Sequence, residues 1–351
     1  MQRHFRLKHA RRFLRLVALL IVGLGVLRSQ TATSAQNGLL RNVTFSEYSA
    51  LSSNLELARR SLTPLTAAEL PQRLAQLGKS LSEQPINLSD ERFTLYVPSH
   101  APPNGYALLV FVPPWQDGHM PEGWASVLER YGVIFVDAAH SGNSETILGR
   151  REPLAVLAAK NVMDRYSVDP QRVYVAGFSG GSRIALRVAL AYPDIFRGAL
   201  LNSGSDPIGT KDAALPPKEL FLQFQSSTHL VYVTGDEDDL NRALDAQSMR
   251  SMKQWCVFDV DSQTVYRTGH NAAPAAALSQ ALQTLFKPAR PDASKLALCQ
   301  AEVERQMTAK LDEVESLITS GRHGEAQKLL RDTDARFGGL AAPRSIELTQ
   351  R

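Results

Sequence analysis

The stretch Val173–Ser182, VYVAGFSGGS, decides how the chain is read. An apolar, partly β-branched run, Val173–Ala176, enters Gly177-Phe178-Ser179-Gly180-Gly181, and a helix-forming run, Arg183–Ala191, leaves it. Strand, G-x-S-x-G and helix in that order form the context of a nucleophile elbow. The serine then sits at the tip of a tight turn with its hydroxyl in open space. Glycines two before and two after it are needed because a Cβ there would strike the neighbouring strand or helix. The N–H of Gly180 is left free at a helix N-terminus, where it can stabilise an oxyanion.

Working outward, Tyr106–Val112 (YALLVFV), Val133–Ala138, Gly198–Asn202 and His229–Thr234 are short, nearly unbroken apolar runs. Such runs suit strands covered on both faces of a parallel sheet. Arg92–Val97 begins this strand-rich part, and Cys256–Asp261 (CVFDVD) is expected to be its last strand. Helical patterns alternate with the strands at Glu122–Tyr131, Leu148–Tyr166, Asn241–Met252 and Ala275–Phe286. The alternation predicts an α/β fold with a mostly parallel, doubly wound sheet, whose ligand-binding loops follow the C-terminal ends of the strands. Those loops hold Trp115 and Gln116, His140, Ser203, the acidic run Asp236-Glu237-Asp238-Asp239, and Thr268-Gly269-His270. Gln116, His140 and Ser203 are candidate substrate contacts. Pro207–Gln225, with Pro216-Pro217, is expected to be irregular and to cap the site.

Of the 351 residues 44% are hydrophobic and 21% charged, which excludes a disordered chain. The net charge of +4 is set by the first 35 residues, which hold six arginines and Lys8 but no acid. Setting those seven aside leaves 32 basic against 35 acidic residues, so the charge is no argument for nucleic-acid binding. Residues 1–35 read as a signal peptide: a basic start, an apolar Leu16–Leu27, and small residues up to Ala35. That segment is the one expected route to a membrane. Residues 36–90 are expected to be a helical extension, with helices over Leu51–Arg60 and Ala67–Ser82. Residues 91–287 form the catalytic domain and 288–351 a helical hairpin, Leu296–Leu317 and Arg322–Phe337, packed on its body. The two cysteines, Cys256 and Cys299, suit one disulfide in an oxidising compartment. No metal-ligand spacing is present in the sequence, and the motifs call for no cofactor.

Arg165–Gly181 (RYSVDPQRVYVAGFSGG), with Ala191-Tyr192-Pro193-Asp194 and Phe196 after it, resembles the elbow region of α/β-hydrolases. Within that superfamily it resembles above all the polyhydroxybutyrate-depolymerase-like and feruloyl-esterase-like secreted esterases. The resemblance spans about Arg92–Phe286. It implies a serine carboxylic-ester hydrolase acting on a small-molecule ester, with Ser179 as nucleophile. The family order is serine, acid, histidine. Asp236, Asp238 and Asp239 all lie where the acid belongs, and the resemblance favours Asp238. His270 follows as the base. The loop after the early strand supplies the second oxyanion donor in this family. Pro113 and Pro114 have no N–H, so Trp115 carries the first available amide. The family usually has a His-Gly-type loop there, and the acid segment is richer in aspartates than usual. Two other classes share these features: a prolyl-oligopeptidase-type peptidase, and a non-catalytic binding protein that keeps the fold.

Overall fold

The computed structural model describes residues 37–351, so the expected signal peptide lies outside the described residues. Among the described residues eight strands form one sheet: β1 (Gly38–Val43), β2 (Phe93–Val97), β3 (Tyr106–Val112), β4 (Val133–Ala138), β5 (Val168–Phe178), β6 (Gly198–Asn202), β7 (His229–Gly235) and β8 (Val260–Val265). Their order is β1-β2-β4-β3-β5-β6-β7-β8. β2 runs antiparallel to β1 and β4, and all other pairs are parallel. The helices are α1 (Asn54–Ser61), α2 (Pro64–Gln76), α3 (Trp124–Tyr131), α4 (Glu152–Arg165), α5 (Gly180–Ala191), α6 (Lys218–Ser227), α7 (Asp239–Gln254), α8 (Ala275–Leu285), α9 (Ala293–Thr319), α10 (His323–Phe337) and α11 (Arg344–Leu348). This is the α/β-hydrolase fold. The chain passes from β4 back across β3 to reach β5, so the strand order reverses there. The loops after β3 and β5 therefore meet at a topological switch point, where open α/β sheets bind ligands.

The period of two along the central strands supplies two cores. In β3, Leu108, Val110 and Val112 face one side, and Ala107, Leu109 and Phe111 face the other. The second side is covered by α3 and α8, whose Trp124, Val127, Leu278 and Leu282 are buried there. The first side is covered by α4 and α5, and both terminal segments add to the same core.

Two segments differ from the sequence reading. Residues 36–90 are not purely helical: β1 joins the sheet as its edge, with a mostly exposed face that carries no apolar run. The predicted helices of this segment form as α1 and α2, but α2 ends at Gln76, short of the expected Ser82; it is started by Thr63, whose hydroxyl accepts from the Thr66 amide, and by Pro64 at its first position. The last strand lies at Val260–Val265 rather than Cys256–Asp261. Cys256 and Val257 are buried, but the chain turns there with φ +62° at Cys256, directly after α7. The described residues form one compact unit. Arg60 of α1 pairs with Asp194 at 2.7 Å, and Met307, Leu311 and Leu330 of the C-terminal hairpin share the core of the first sheet face. No helix among the described residues is long and apolar enough to cross a membrane.

Cys256 and Cys299 form a disulfide across 43 residues, joining the end of α7 to α9. A cross-link of that span removes chain entropy worth about 4 kcal/mol from the unfolded state. Replacing both cysteines by serine is expected to lower unfolding free energy by about 2–4 kcal/mol in chemical denaturation.

One buried acid, Asp245 on α7, is 3% exposed and bonded by the Thr234 hydroxyl. Burial pushes its carboxyl up to about 6. The folded state therefore holds this proton to higher pH than the unfolded state, and stability falls as pH rises from about 4 to 6. Wild type should lose about 2–3 kcal/mol relative to Asp245→Asn between pH 4 and pH 7, measured by denaturation at both pH values. An unchanged difference between the two proteins would contradict this.

Candidate active site

β5 runs into Ser179, whose backbone adopts φ +56° and ψ −124°, a region that side chains rarely enter. Two glycines allow the turn. A Cβ on Gly177 would lie 2.2 Å from the Gly181 carbonyl oxygen, and one on Gly181 would lie 1.9 Å from that of Val112. Any larger residue at either place would push β5, α5 or the loop after β3 apart. The Ser179 amide donates to the Asn202 carbonyl at 2.8 Å, which ties the turn to the end of β6.

His270 Nε2 lies 2.9 Å from Ser179 Oγ, and its Nδ1 lies 2.7 Å from Asp238 Oδ2. The carboxylate can only accept, so Nδ1 carries the proton and Nε2 is left to accept from the hydroxyl. The His270 side chain is 44% exposed, within reach of a substrate. Phe178 packs on the imidazole with ring centroids 4.8 Å apart. Gly235 lets the histidine loop lie this close, since a Cβ there would sit 1.9 Å from the Thr268 carbonyl oxygen. The three aspartates have separate surroundings. Asp236 accepts from the Thr268 amide and so braces the histidine loop. Asp239 is 92% exposed and pairs with Arg242. Asp238 alone is buried behind the imidazole. Burial pushes its carboxyl up, but the bonds from His270 and Asn241 outweigh this and hold it below its ordinary value. The Asn241 amide nitrogen donates to both Asp238 oxygens, at 2.8 and 3.0 Å.

The Gly180 and Trp115 amides have no hydrogen-bond partner among the described residues. Trp115 is half-buried and stacks on His119, with centroids 4.4 Å apart. Arg151, 4% exposed, gathers the loops beneath the elbow. It donates to the carbonyls of Ser141 at 2.8 Å, Pro113 at 2.8 Å and Gly180 at 3.4 Å. Burial lowers its guanidinium to about 10. The side chain of Gln116 is taken up by Ser144 and Glu145, while its carbonyl accepts from the His140 amide. His140 is exposed, and its carbonyl accepts from Arg150. Ser203 is not at the surface of the site. It is fully buried, with φ +57°, and its hydroxyl accepts from Asn202. The stretch Pro207–Gln225 is irregular only to Pro217 and then forms most of α6. Among the described residues no group of three or more His, Cys, Asp or Glu side chains is arranged to hold a metal ion.

Sequence reasoning missed Asn241, Asn202 and Arg151. Asn202 also accepts from the Ala273 amide at 2.7 Å, and so links the elbow to the segment after His270. The one sequence signal for Asn241 is its spacing, three residues after Asp238 in the first turn of a helix. The partners of Arg151 are backbone carbonyls from three distant segments, which leave no trace in residue types.

No family model matches the sequence. The chain is 32% identical over 107 residues to a poly(3-hydroxybutyrate) depolymerase of Ralstonia pickettii, covering 26% of this chain and 22% of that protein. It is 30% identical over 90 residues to poly(3-hydroxyalkanoate) depolymerase C of Paucimonas lemoignei, covering 22% of each. The matches thus span about a fifth of the length of these curated relatives. Among solved structures it is similar to a poly(3-hydroxybutyrate) depolymerase of Bordetella parapertussis, with 19% identity, a TM-score of 0.41, and coverage of 60% of this chain and 89% of that one. The strand order and the strained serine turn are those of the α/β-hydrolase fold, and over about a quarter of its length the chain is similar to poly(3-hydroxybutyrate) and poly(3-hydroxyalkanoate) depolymerases.

Proposed function

We propose that the protein is a serine carboxylic-ester hydrolase in which Ser179, His270 and Asp238 act together. The observation that carries this reading is the unbroken chain of contacts from hydroxyl to imidazole to carboxylate, at 2.9 and 2.7 Å. A serine hydroxyl is a weak nucleophile at neutral pH and needs an adjacent base. As Ser179 Oγ attacks the ester carbonyl carbon, its proton passes to His270 Nε2 and the carbonyl electron pair moves onto oxygen. The Gly180 and Trp115 amides stabilise that oxyanion; one such donor is typically worth about 10²–10³ in rate. Collapse of the intermediate breaks the ester C–O bond, and His270 returns the proton to the leaving alcohol. Water then attacks the acyl-enzyme by the same route, releasing the acid and restoring Ser179. Asp238 holds the imidazole in the required tautomer and stabilises its cation. Asn241 steadies Asp238, and Arg151 holds the elbow and the loop after β3 in register.

The names of the two curated relatives, depolymerases of hydroxyalkanoate polyesters, are in keeping with ester-bond cleavage. The disulfide and the signal-like N-terminus support work in an exported, oxidising setting, periplasmic or secreted. Ser179→Ala is expected to lower turnover of short 4-nitrophenyl esters by about 10⁴-fold or more, with the circular dichroism of the fold unchanged. Asp238→Asn should cost about 10⁴-fold, whereas Asp239→Asn should stay within about twofold. Full turnover by Ser179→Ala would refute the reading. Peptide amides cleaved faster than esters would move the protein to the peptidases.

A further inference from the structure

Helix α5 borders a cleft of about 700 Å³ that opens beside Gly180, the residue after the elbow serine. One wall is the loop after β4, with Asn143 and Leu148, and the other is the stretch Asp206–Asp212 after β6. Arg183 and Arg187 project into the cleft from α5. Its charges are unevenly satisfied. Arg187 is held by Glu152 at 2.6 Å, and Arg151 is occupied by backbone carbonyls. Arg183 has one contact, from Nε to Asp206 at 3.3 Å, and its two terminal nitrogens donate to nothing among the described residues. Lys211 has no ion-pair partner among the described residues. The four cations of the lining face two acids, Asp206 and Asp212, and with Glu152 behind Arg187 one positive charge remains in excess.

We propose that this cleft binds the substrate and selects esters that carry a carboxylate, with Arg183 and Lys211 receiving the anion. The proposal rests on the hydrolase reading and adds the substrate class. Arg183 lies in the first turn of α5, three residues and about 4.5 Å along the helix axis beyond Gly180, the residue next to Ser179. A short diacid chain spans that distance from a carbonyl held at Ser179. The planar guanidinium, with both terminal nitrogens unused, suits two parallel bonds to a carboxylate, and Lys211 adds a point charge from the facing loop.

The test compares two matched pairs of esters, each rate divided by that of spontaneous hydrolysis. Mono-4-nitrophenyl glutarate against 4-nitrophenyl pentanoate places the carboxylate on the acyl side. 4-Acetoxybenzoate against its methyl ester places it on the alcohol side. In wild type, kcat/KM for the anionic member of at least one pair should exceed that of its partner by about fivefold or more at low salt. The ratio should shrink in about 0.5 M NaCl and fall below about twofold in the double variant Arg183→Gln with Lys211→Gln. Equal or better turnover of both neutral members would overturn this proposal and leave the hydrolase reading intact. So would an anionic preference that the double variant retains. No hydrolysis of any of the four esters would overturn the hydrolase reading, and this proposal with it.

Discussion

Everything at the site depends on one crowded point, where β5 turns into α5 against the end of β3. Ser179 is held at positive φ, and the turn closes only because Gly177 and Gly181 have no side chains. The contacts that a Cβ would violate, at 2.2 and 1.9 Å, involve backbone atoms that cannot swing aside. Strain of this kind persists only where the surroundings over-determine it. Here the surroundings are the parallel pairing of β5 with β3 and β6, the amide bond from Ser179 to Asn202, and the Arg151 guanidinium beneath. The same crowding aims the hydroxyl outward and leaves the next amide without a partner.

The rest of the fold serves that point from a distance. Gly235 and Asp236 bring the loop after β8 against the end of β7, which sets His270 over the serine. α7 begins at Asp239, so Asp238 and Asn241 stand together at its first turn. The C-terminal segment reaches the same region indirectly. The Gly339 amide donates to the Leu215 carbonyl at 2.8 Å, and a Cβ on Gly338 or Gly339 would strike the backbone of Leu215 or Pro216. The end of α10 therefore fixes the stretch that continues from the cleft wall, and the disulfide to α9 fastens the hairpin that carries it.

How much of this was legible in the sequence follows from where the information lies. The central strands were legible because both faces are buried, so each is written as an apolar run. The elbow was legible because close backbone approach demands glycine at set spacings. β1 is not legible and β8 is placed four residues too early, because edge strands are half exposed and lack such runs. In the acid segment three aspartates in four residues are equivalent as text. What separates them is burial and partner: Asp236 on the Thr268 amide, Asp239 in solvent, Asp238 behind the ring. Ser203 follows β6 at the active edge by position, but it is fully buried, with positive φ.

The central claim is that Ser179 is a nucleophile activated by His270. The most direct measurement is covalent labelling with a fluorophosphonate, followed by peptide mass spectrometry. The account predicts a single adduct on Ser179, formed rapidly in wild type and lost when His270 is replaced by alanine. No adduct at Ser179, or one that forms equally fast without the imidazole, would contradict it.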